Sequence, residues 1–273
     1  MTRWVLFVAV GAVALVSVLL IVRSTLSTPN AKEKEVQANS EETGTPVAVV
    51  ELFTSEGCSN CPPADDLLGE IVTDAQKRQQ RVYCLSFHVD YWNHLGWRDP
   101  YSDAAFSRRQ QGYAKVFKSD QVYTPQMVVN GSTEFVGSDR ARARKHIDTA
   151  LKQPARARVK VNQEEKKAPN ALVIGYEVSQ APRGSILNVA VVERGLASQV
   201  KRGENGGRTL RHQNVVRAFQ TIRLGDTEKG TVQLQLPADL VSKNSSVIAY
   251  VQDSDTWAVF GATAIELQPA DAR

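Results

Sequence analysis

A pair of cysteines in VELFTSEGCSNCPPADDLL, residues 50–68, is the part of this sequence best suited to chemistry. Two residues separate Cys58 from Cys61, and the pair lies between an apolar β-branched run and a helical pattern. A thiolate at the start of a helix is stabilised by the free N–H groups and the partial positive charge there. The spacing therefore predicts a redox pair, in which an exposed Cys58 attacks a partner and the more shielded Cys61 resolves the mixed disulfide.

Two other interpretations of the pair stay open. A structural disulfide can form outside the cytoplasm, although so short a spacing closes a small loop and constrains little unfolded-state entropy. The protein would then be a non-enzymatic binding module of the cell envelope. A metal site usually needs about four ligands, and Cys58, Cys61 and His88 are the candidate set for Cu(I) in a metal chaperone. Cys84 lies in an apolar run and is expected to be an inert buried thiol.

Two predicted strands supply residues that could support the pair. Thr124-Pro125 opens one strand, where a proline suits a cis bond that holds a backbone edge beside the sulfurs for a docking partner. Glu51 lies on the strand that leads to the cysteines. It could take protons from the buried thiol if it points toward it, and it is otherwise an exposed strand-end carboxylate.

His88 and Asp90 end the second predicted strand. Sites in α/β sheets form at the carboxyl ends of the strands, the edge at which the CxxC helix also begins. Both side chains are therefore expected in the pocket around the thiols. The alternative for His88 is a histidine that is satisfied by local hydrogen bonds.

A glycine-rich segment in the last third, GENGGRTLRHQNVVRAF at residues 203–219, also stands out. Its glycines indicate a tight or exposed loop, and the phosphate-binding pattern GxxxxGK[ST] is absent. If the loop folds back over the thiols, Arg208 and His212 would add positive charge that lowers the pKa of Cys58. The alternative is a hairpin tip with solvated charges.

Residues 46–153 show the periodicity of a mixed α/β domain. The predicted order is β-α-β-α-β-β-α, with strands at 47–53 and 81–89, helices from 64 and over 103–117, a hairpin at 122–137, and a helix to about 151. A CxxC after the first strand and a Thr-Pro at the hairpin make this a thioredoxin-like topology.

In residues 154–270 the apolar residues recur with a period of two, which is typical of strands. Seven short strand-like runs are separated by Gly, Pro, Asn and Asp clusters: 156–162, 171–178, 185–193, 212–223, 230–236, 246–252 and 257–267. This pattern predicts an all-β, sandwich-like domain.

The N-terminus predicts export. Residues 4–22 carry no charge and are bracketed by Arg3 and Arg23. A helix of that length is about 28 Å long, which approaches one hydrocarbon thickness. We interpret residues 1–23 as a signal anchor or signal peptide and residues 24–45, which are polar, as a flexible tether. The rest of the chain would be periplasmic, anchored to the inner membrane or secreted.

The charge of the chain argues against a nucleic-acid partner. Its net charge of +4 is small for 273 residues, and no basic run is interleaved with aromatic residues. The expected partners are proteins of the cell envelope that carry thiols or disulfides. The predicted thiol chemistry needs no organic cofactor.

Longer stretches of the sequence resemble one bacterial family. VELFTSEGCSNCPPAD, FHVDYWNHLGWRDPYSDAAFSRRQ, VYTPQMVVNG, FVGSD and the later ENGGRTLRHQNVVRA are similar to the secreted thioredoxin-like proteins grouped as DUF1223. The resemblance implies a thioredoxin-like domain and a β-rich domain in the envelope, but the family's function is unknown and it supplies no substrate. Ser59-Asn60 replaces the Gly-Pro of ordinary thioredoxins, which leaves the redox potential and the direction of electron flow open.

Overall fold

The computed structural model describes residues 44–164, 170–225 and 228–268, together with Met1. Apart from Met1, the predicted anchor or signal peptide lies outside this range, as does nearly all of the predicted tether. Within the described range, no helix combines the length and the apolar character that crossing a bilayer requires.

The first half of the described chain alternates strands and helices. The elements are β1 (Ala48–Thr54), α1 (Pro62–Lys77), β2 (Val82–His88), a 3-10 turn (Asn93–Leu95), α2 (Ala104–Phe117), β3 (Gln126–Val129), β4 (Thr133–Val136) and α3 (Arg140–Ala150). Apart from the short turn, this order is the one that the sequence predicts. Local signals account for it: two prolines start α1, and the Asp103 side chain caps α2 by accepting the Ala105 N–H.

The second half consists of strands and one short 3-10 turn. The strands are β5 (Arg158–Gln163), β6 (Ala171–Ser179), β7 (Ser185–Glu193), β8 (Leu196–Gln199), β9 (Thr209–His212), β10 (Val215–Arg223), β11 (Lys229–Gln235), β12 (Ser245–Asp253) and β13 (Val259–Glu266). The predicted run 212–223 is divided, because Asn214 adopts a left-handed φ of 51° between β9 and β10. Sequence periodicity missed the short β8–β9 hairpin, whose tip is the glycine-rich loop.

One sheet runs through both halves. Its eight strands lie in the order β13-β12-β7-β10-β2-β1-β3-β4, and β10 joins β2 in parallel at Val215 and Ser86. The sheet therefore crosses the boundary predicted near residue 153, and the described residues from 44 to 268 belong to one compact unit. The described chain is a β-rich fold with few helices.

Alternation along β7 and β12 gives this sheet two buried faces. Val189 and Val191 face the three-stranded sheet β11-β6-β5, which forms a sandwich-like layer. Ala190 and Val192 face the other way, toward Phe53 of β1 and the aromatic residues around it. A third cluster lies between β1 and the helices α1 and α3. The second half is thereby packed directly against the part that carries the cysteines.

Candidate functional site

The cysteines lie in a tight turn between β1 and α1. Cys61 caps α1, and Cys58 lies three residues earlier. The Cys58 N–H donates to the Ser55 carbonyl and the Cys61 N–H to the Cys58 carbonyl, both at 3.2 Å, while the Ala64 N–H donates to the Cys61 carbonyl at 2.9 Å. Both thiols are free, and they lie at the N-terminus of the helix, as the sequence predicts.

The two thiols differ in acidity. A hydrogen bond from Cys61 lowers the pKa of Cys58 to about 7. Burial opposes this shift, and hydrogen bonds with Thr124 and with backbone N–H groups add to it. Burial, and then the neighbouring Cys58 and Asp65, raise the pKa of Cys61 well above its ordinary range. Burial raises the pKa of the third thiol, Cys84, to about 12. Cys58 is therefore the thiol that ionises near neutral pH.

The predicted docking edge lies beside Cys58. The Thr124-Pro125 bond is cis, and the Cys58 thiol donates to the Thr124 carbonyl at 3.8 Å. The Trp92 Nε1–H donates to the Thr124 hydroxyl at 2.8 Å. Thr124 and Pro125 thus lie beside Cys58, where the sequence places them.

A covering loop, residues 200–208, closes over the cysteines. Asn205 is fully buried and donates its side-chain amide to the carbonyls of Glu56 and Cys58, both at 2.9 Å. Glu204 accepts the Ser59 N–H at 2.9 Å. Cys58 is consequently only 1% exposed, which corrects the expectation of an exposed attacking thiol.

The two basic residues predicted near the thiols have different roles from those expected. Arg208 is exposed and donates to the Asn205 side chain at 2.7 Å. His212 lies beneath the cysteine turn, with Nε2 3.0 Å from Glu56 Oε1 and Nδ1 3.9 Å from Asp65 Oδ2. The loop folds over the pair, which is one of the two alternatives that the sequence leaves open, but its cations do not contact Cys58, whose pKa is lowered by neutral donors.

Glu51 does not approach the thiols. It receives bonds from Arg109 at 2.6 and 2.9 Å and from the Tyr113 hydroxyl at 2.7 Å. Alternation along β1 explains this correction, because Glu51 shares a face with Phe53, whereas Thr54 faces α1 and the cysteines.

The acid beside the pair is Asp65, which the sequence analysis missed. It lies one turn after Cys61 on α1 and accepts the Thr54 hydroxyl at 3.2 Å. Burial, opposed by the charge of His212, raises the pKa of Asp65 to about 7. The spacing of Cys61 and Asp65 could have predicted this neighbour, because residues four apart on a helix share a face.

His88 and Asp90 are separated by the end of β2. His88 is fully buried and pairs through Nδ1 with Asp99 Oδ2 at 2.7 Å, and its ring packs edge-on to His212 at 4.8 Å. Asp90 instead accepts the Ser107 hydroxyl of α2 at 2.5 Å. His88 thus belongs to the polar layer under the cysteine turn, and Asp90 does not.

The residues of the metal alternative do not form a ligand set. Within the described ranges, no three His, Cys, Asp or Glu side chains are grouped so that they could hold a metal ion. The proposed trio of Cys58, Cys61 and His88 is therefore not brought together.

Comparisons with known proteins identify relatives without assigning an activity. The family model described as "Protein of unknown function (DUF1223)" matches residues 49–252. The crystal structure of an Agrobacterium tumefaciens protein from structural genomics is similar, with a TM-score of 0.62 and 28% identity over 86% of this chain and 99% of that one. A domain of the outer membrane lipoprotein Omp28 from Porphyromonas gingivalis has a TM-score of 0.28 and 14% identity over 42% of this chain and 98% of that one. No curated protein matches the chain.

Proposed function

The chain belongs to the DUF1223 family, and we propose that it is a thiol–disulfide oxidoreductase with a thioredoxin-like first half. The observation that carries the proposal is the asymmetric pair. Cys58 has a pKa of about 7, and the pKa of Cys61 is strongly raised. An attacking thiol reacts best when its pKa is near the ambient pH, and a second thiol nearby can resolve the product.

The surrounding elements support the thioredoxin-like assignment. A strand leads into the CxxC turn, a helix begins directly after Cys61, and Thr124-Pro125 lies beside Cys58 just before β3. The order β-α-β-α-β-β-α agrees with that assignment. The uncharged run at residues 4–22 supports a location in the envelope, where protein disulfides persist.

The proposed exchange has two balanced steps. The Cys58 thiolate attacks a disulfide of a partner protein, which forms a mixed disulfide and releases one partner sulfur as a thiolate. Cys61 then loses a proton and attacks the Cys58 sulfur, which forms the Cys58–Cys61 disulfide and releases the second partner sulfur. The partner disulfide is reduced by two electrons and the pair is oxidised, and every step can run in reverse.

A redox titration tests this proposal. We expect the protein, equilibrated with defined ratios of reduced to oxidised glutathione, to show one two-electron transition that includes Cys58 and Cys61 but not Cys84. Alkylation of reduced Cys58 should accelerate as pH rises through about 7, because the thiolate is the reactive form. Mass spectrometry after acid quenching reports both results. Thiols that stay reduced at every ratio, or equal slow alkylation of Cys58 and Cys61, would rule the function out.

Access to Cys58 depends on the covering loop, and Asn205→Ala tests this. Removing two hydrogen bonds of about 1 kcal/mol each should populate the open loop and raise the limiting alkylation rate of Cys58 about thirtyfold. The midpoint of the pH profile should change little, because Asn205 bonds to backbone carbonyls and not to the thiol. Asn162→Ala, which removes an exposed amide that bonds to Glu164, is the matched control. Identical limiting rates in both variants and the wild type would show that reagents reach Cys58 by another route.

A further inference from the structure

His212 connects the second half of the chain to the cysteine turn. It ends β9, and its side chain is 1% exposed between Glu56, which precedes Cys58, and Asp65, which follows Cys61. The pair alone does not explain why a buried imidazole should bridge two carboxyl groups at this point. The position indicates that the β8–β9 hairpin supplies part of the redox centre.

The hydrogen bonds define how the ring is oriented. A carboxylate only accepts hydrogen bonds, so Nε2 donates to Glu56. This leaves Nδ1 directed at Asp65, where it has no hydrogen-bond partner among the described residues, as is also true of Asp65 Oδ1. One proton can therefore lie either on the Asp65 carboxyl or on Nδ1 of His212.

Thr54 lies between the resolving thiol of Cys61 and the Asp65 carboxyl group that faces His212. Its hydroxyl donates to Asp65 Oδ2 at 3.2 Å, and hydrogen bonding by Thr54 lowers the pKa of Cys61. The hydroxyl oxygen can accept a proton from Cys61 while its own proton passes to Asp65. Two adjoining side chains, Thr54 and Asp65, thus lie between Cys61 and His212.

We propose that His212, held by Glu56, is a positioning residue that sets the pH at which Asp65 accepts the Cys61 proton. This inference rests on the proposed function. In the resolving step the Cys61 proton passes through Thr54 to the Asp65 carboxylate, and the Cys61 sulfur bonds to the Cys58 sulfur. The departing partner thiolate takes up a proton, so that thiols and disulfides balance across the step.

The charges around Asp65 predict how the loss of His212 changes the pKa of Asp65. Burial raises the pKa of Asp65 to about 7, the charge of His212 opposes this rise, and the nearby Asp99 and Asp66 add to it. The groups that face His212 are Glu56, Asp65, His88 and Tyr101. Loss of the His212 charge should therefore raise the pKa of Asp65 further.

The test follows the resolving step itself. Reduced full-length protein is mixed with oxidised glutathione, and the release of glutathione from the Cys58 mixed disulfide is measured from pH 5 to pH 9. In the wild type the rate should rise through an inflection near pH 7, where Asp65 becomes a base. In His212→Gln and Glu56→Gln the inflection should move up by about one unit. In Asp65→Asn it should disappear, and in His146→Gln, a histidine that stacks on Phe135 of β4, it should not move.

The outcomes separate this inference from the function on which it rests. A wild type that never forms the Cys58–Cys61 disulfide overturns both. Suppose instead that the wild type resolves normally and that folded His212→Gln or Glu56→Gln resolves more slowly at every pH with the same inflection. His212 would then have a structural role, and this inference alone would be overturned. If both of those variants fail to fold, the near-isosteric Asp65→Asn decides, because an inflection that persists near pH 7 in it would exclude Asp65 as the acceptor.

Discussion

Cys61→Ser is expected to accumulate covalent mixed disulfides with envelope proteins, and Cys58→Ser is expected to accumulate none. Without Cys61, a mixed disulfide on Cys58 has no second thiol to resolve it. Without Cys58, the remaining Cys61 has a strongly raised pKa and supplies almost no thiolate. Exchange should be abolished in both variants, which makes this the largest effect on activity. Non-reducing electrophoresis after acid quenching, followed by mass spectrometry of the trapped species, measures it.

Cys84→Ser is the matched control for the trapping experiment. Cys84 is buried on β2, and burial raises its pKa to about 12, so it should neither react nor alter trapping. Mixed disulfides that form equally in Cys58→Ser would assign the attack to another thiol. Their absence in Cys61→Ser, in a folded protein, would favour a structural disulfide.

Arg109→Met is expected to cause the largest loss of stability, about 3–5 kcal/mol of the free energy of unfolding. Arg109 lies under the sheet with its side chain 8% exposed, and it donates to both carboxylate oxygens of Glu51 and to the Tyr250 hydroxyl. Methionine keeps most of the volume but leaves the Glu51 carboxylate buried without its counter-ion. Urea unfolding of the wild type and the variant measures the change in the free energy of unfolding.

Two further variants assign the cause of that loss. Arg140→Met removes an arginine that pairs with Glu70 on the surface, and it should change stability little because solvent screens that pair. The double variant Arg109→Met, Glu51→Gln should recover much of the lost stability, because it removes the uncompensated charge. A double variant as unstable as the single one would mean that packing, and not charge, dominates at Arg109.

Turn and cap chemistry explains why much of the fold could be predicted. Asn130-Gly131 predicted the β3–β4 hairpin, and both residues have left-handed φ values, 47° and 64°. A side chain at Gly131 would also have no room, since its Cβ would lie 1.8 Å from the Trp257 carbonyl oxygen. That second reason comes from the turn between β12 and β13, which is distant along the chain, so the sequence around Gly131 could not predict it.

Glu51 and Asp65 show where sequence reasoning about the site ends. Both are acids close to the cysteines along the chain, and the structure places Asp65, not Glu51, beside Cys61. Which acid lies there depends on the face of β1 that packs against α1. Neither spacing nor composition specifies that face when both faces of a strand are buried.

The sequence by itself determined the CxxC turn, the helix that follows it, the Thr124-Pro125 edge and the strand-rich second half. These features depend on residues that are close along the chain. There the φ preferences of single residues, the missing N–H groups of proline and the spacing of apolar residues favour a particular local structure. Only the tertiary structure decided that Cys58 is covered, that Glu51 pairs with Arg109, and that His212 meets Glu56 and Asp65. Those outcomes depend on how β10 joins β2 and how the β8–β9 hairpin closes over α1, because packing between distant segments selects which buried polar groups become partners.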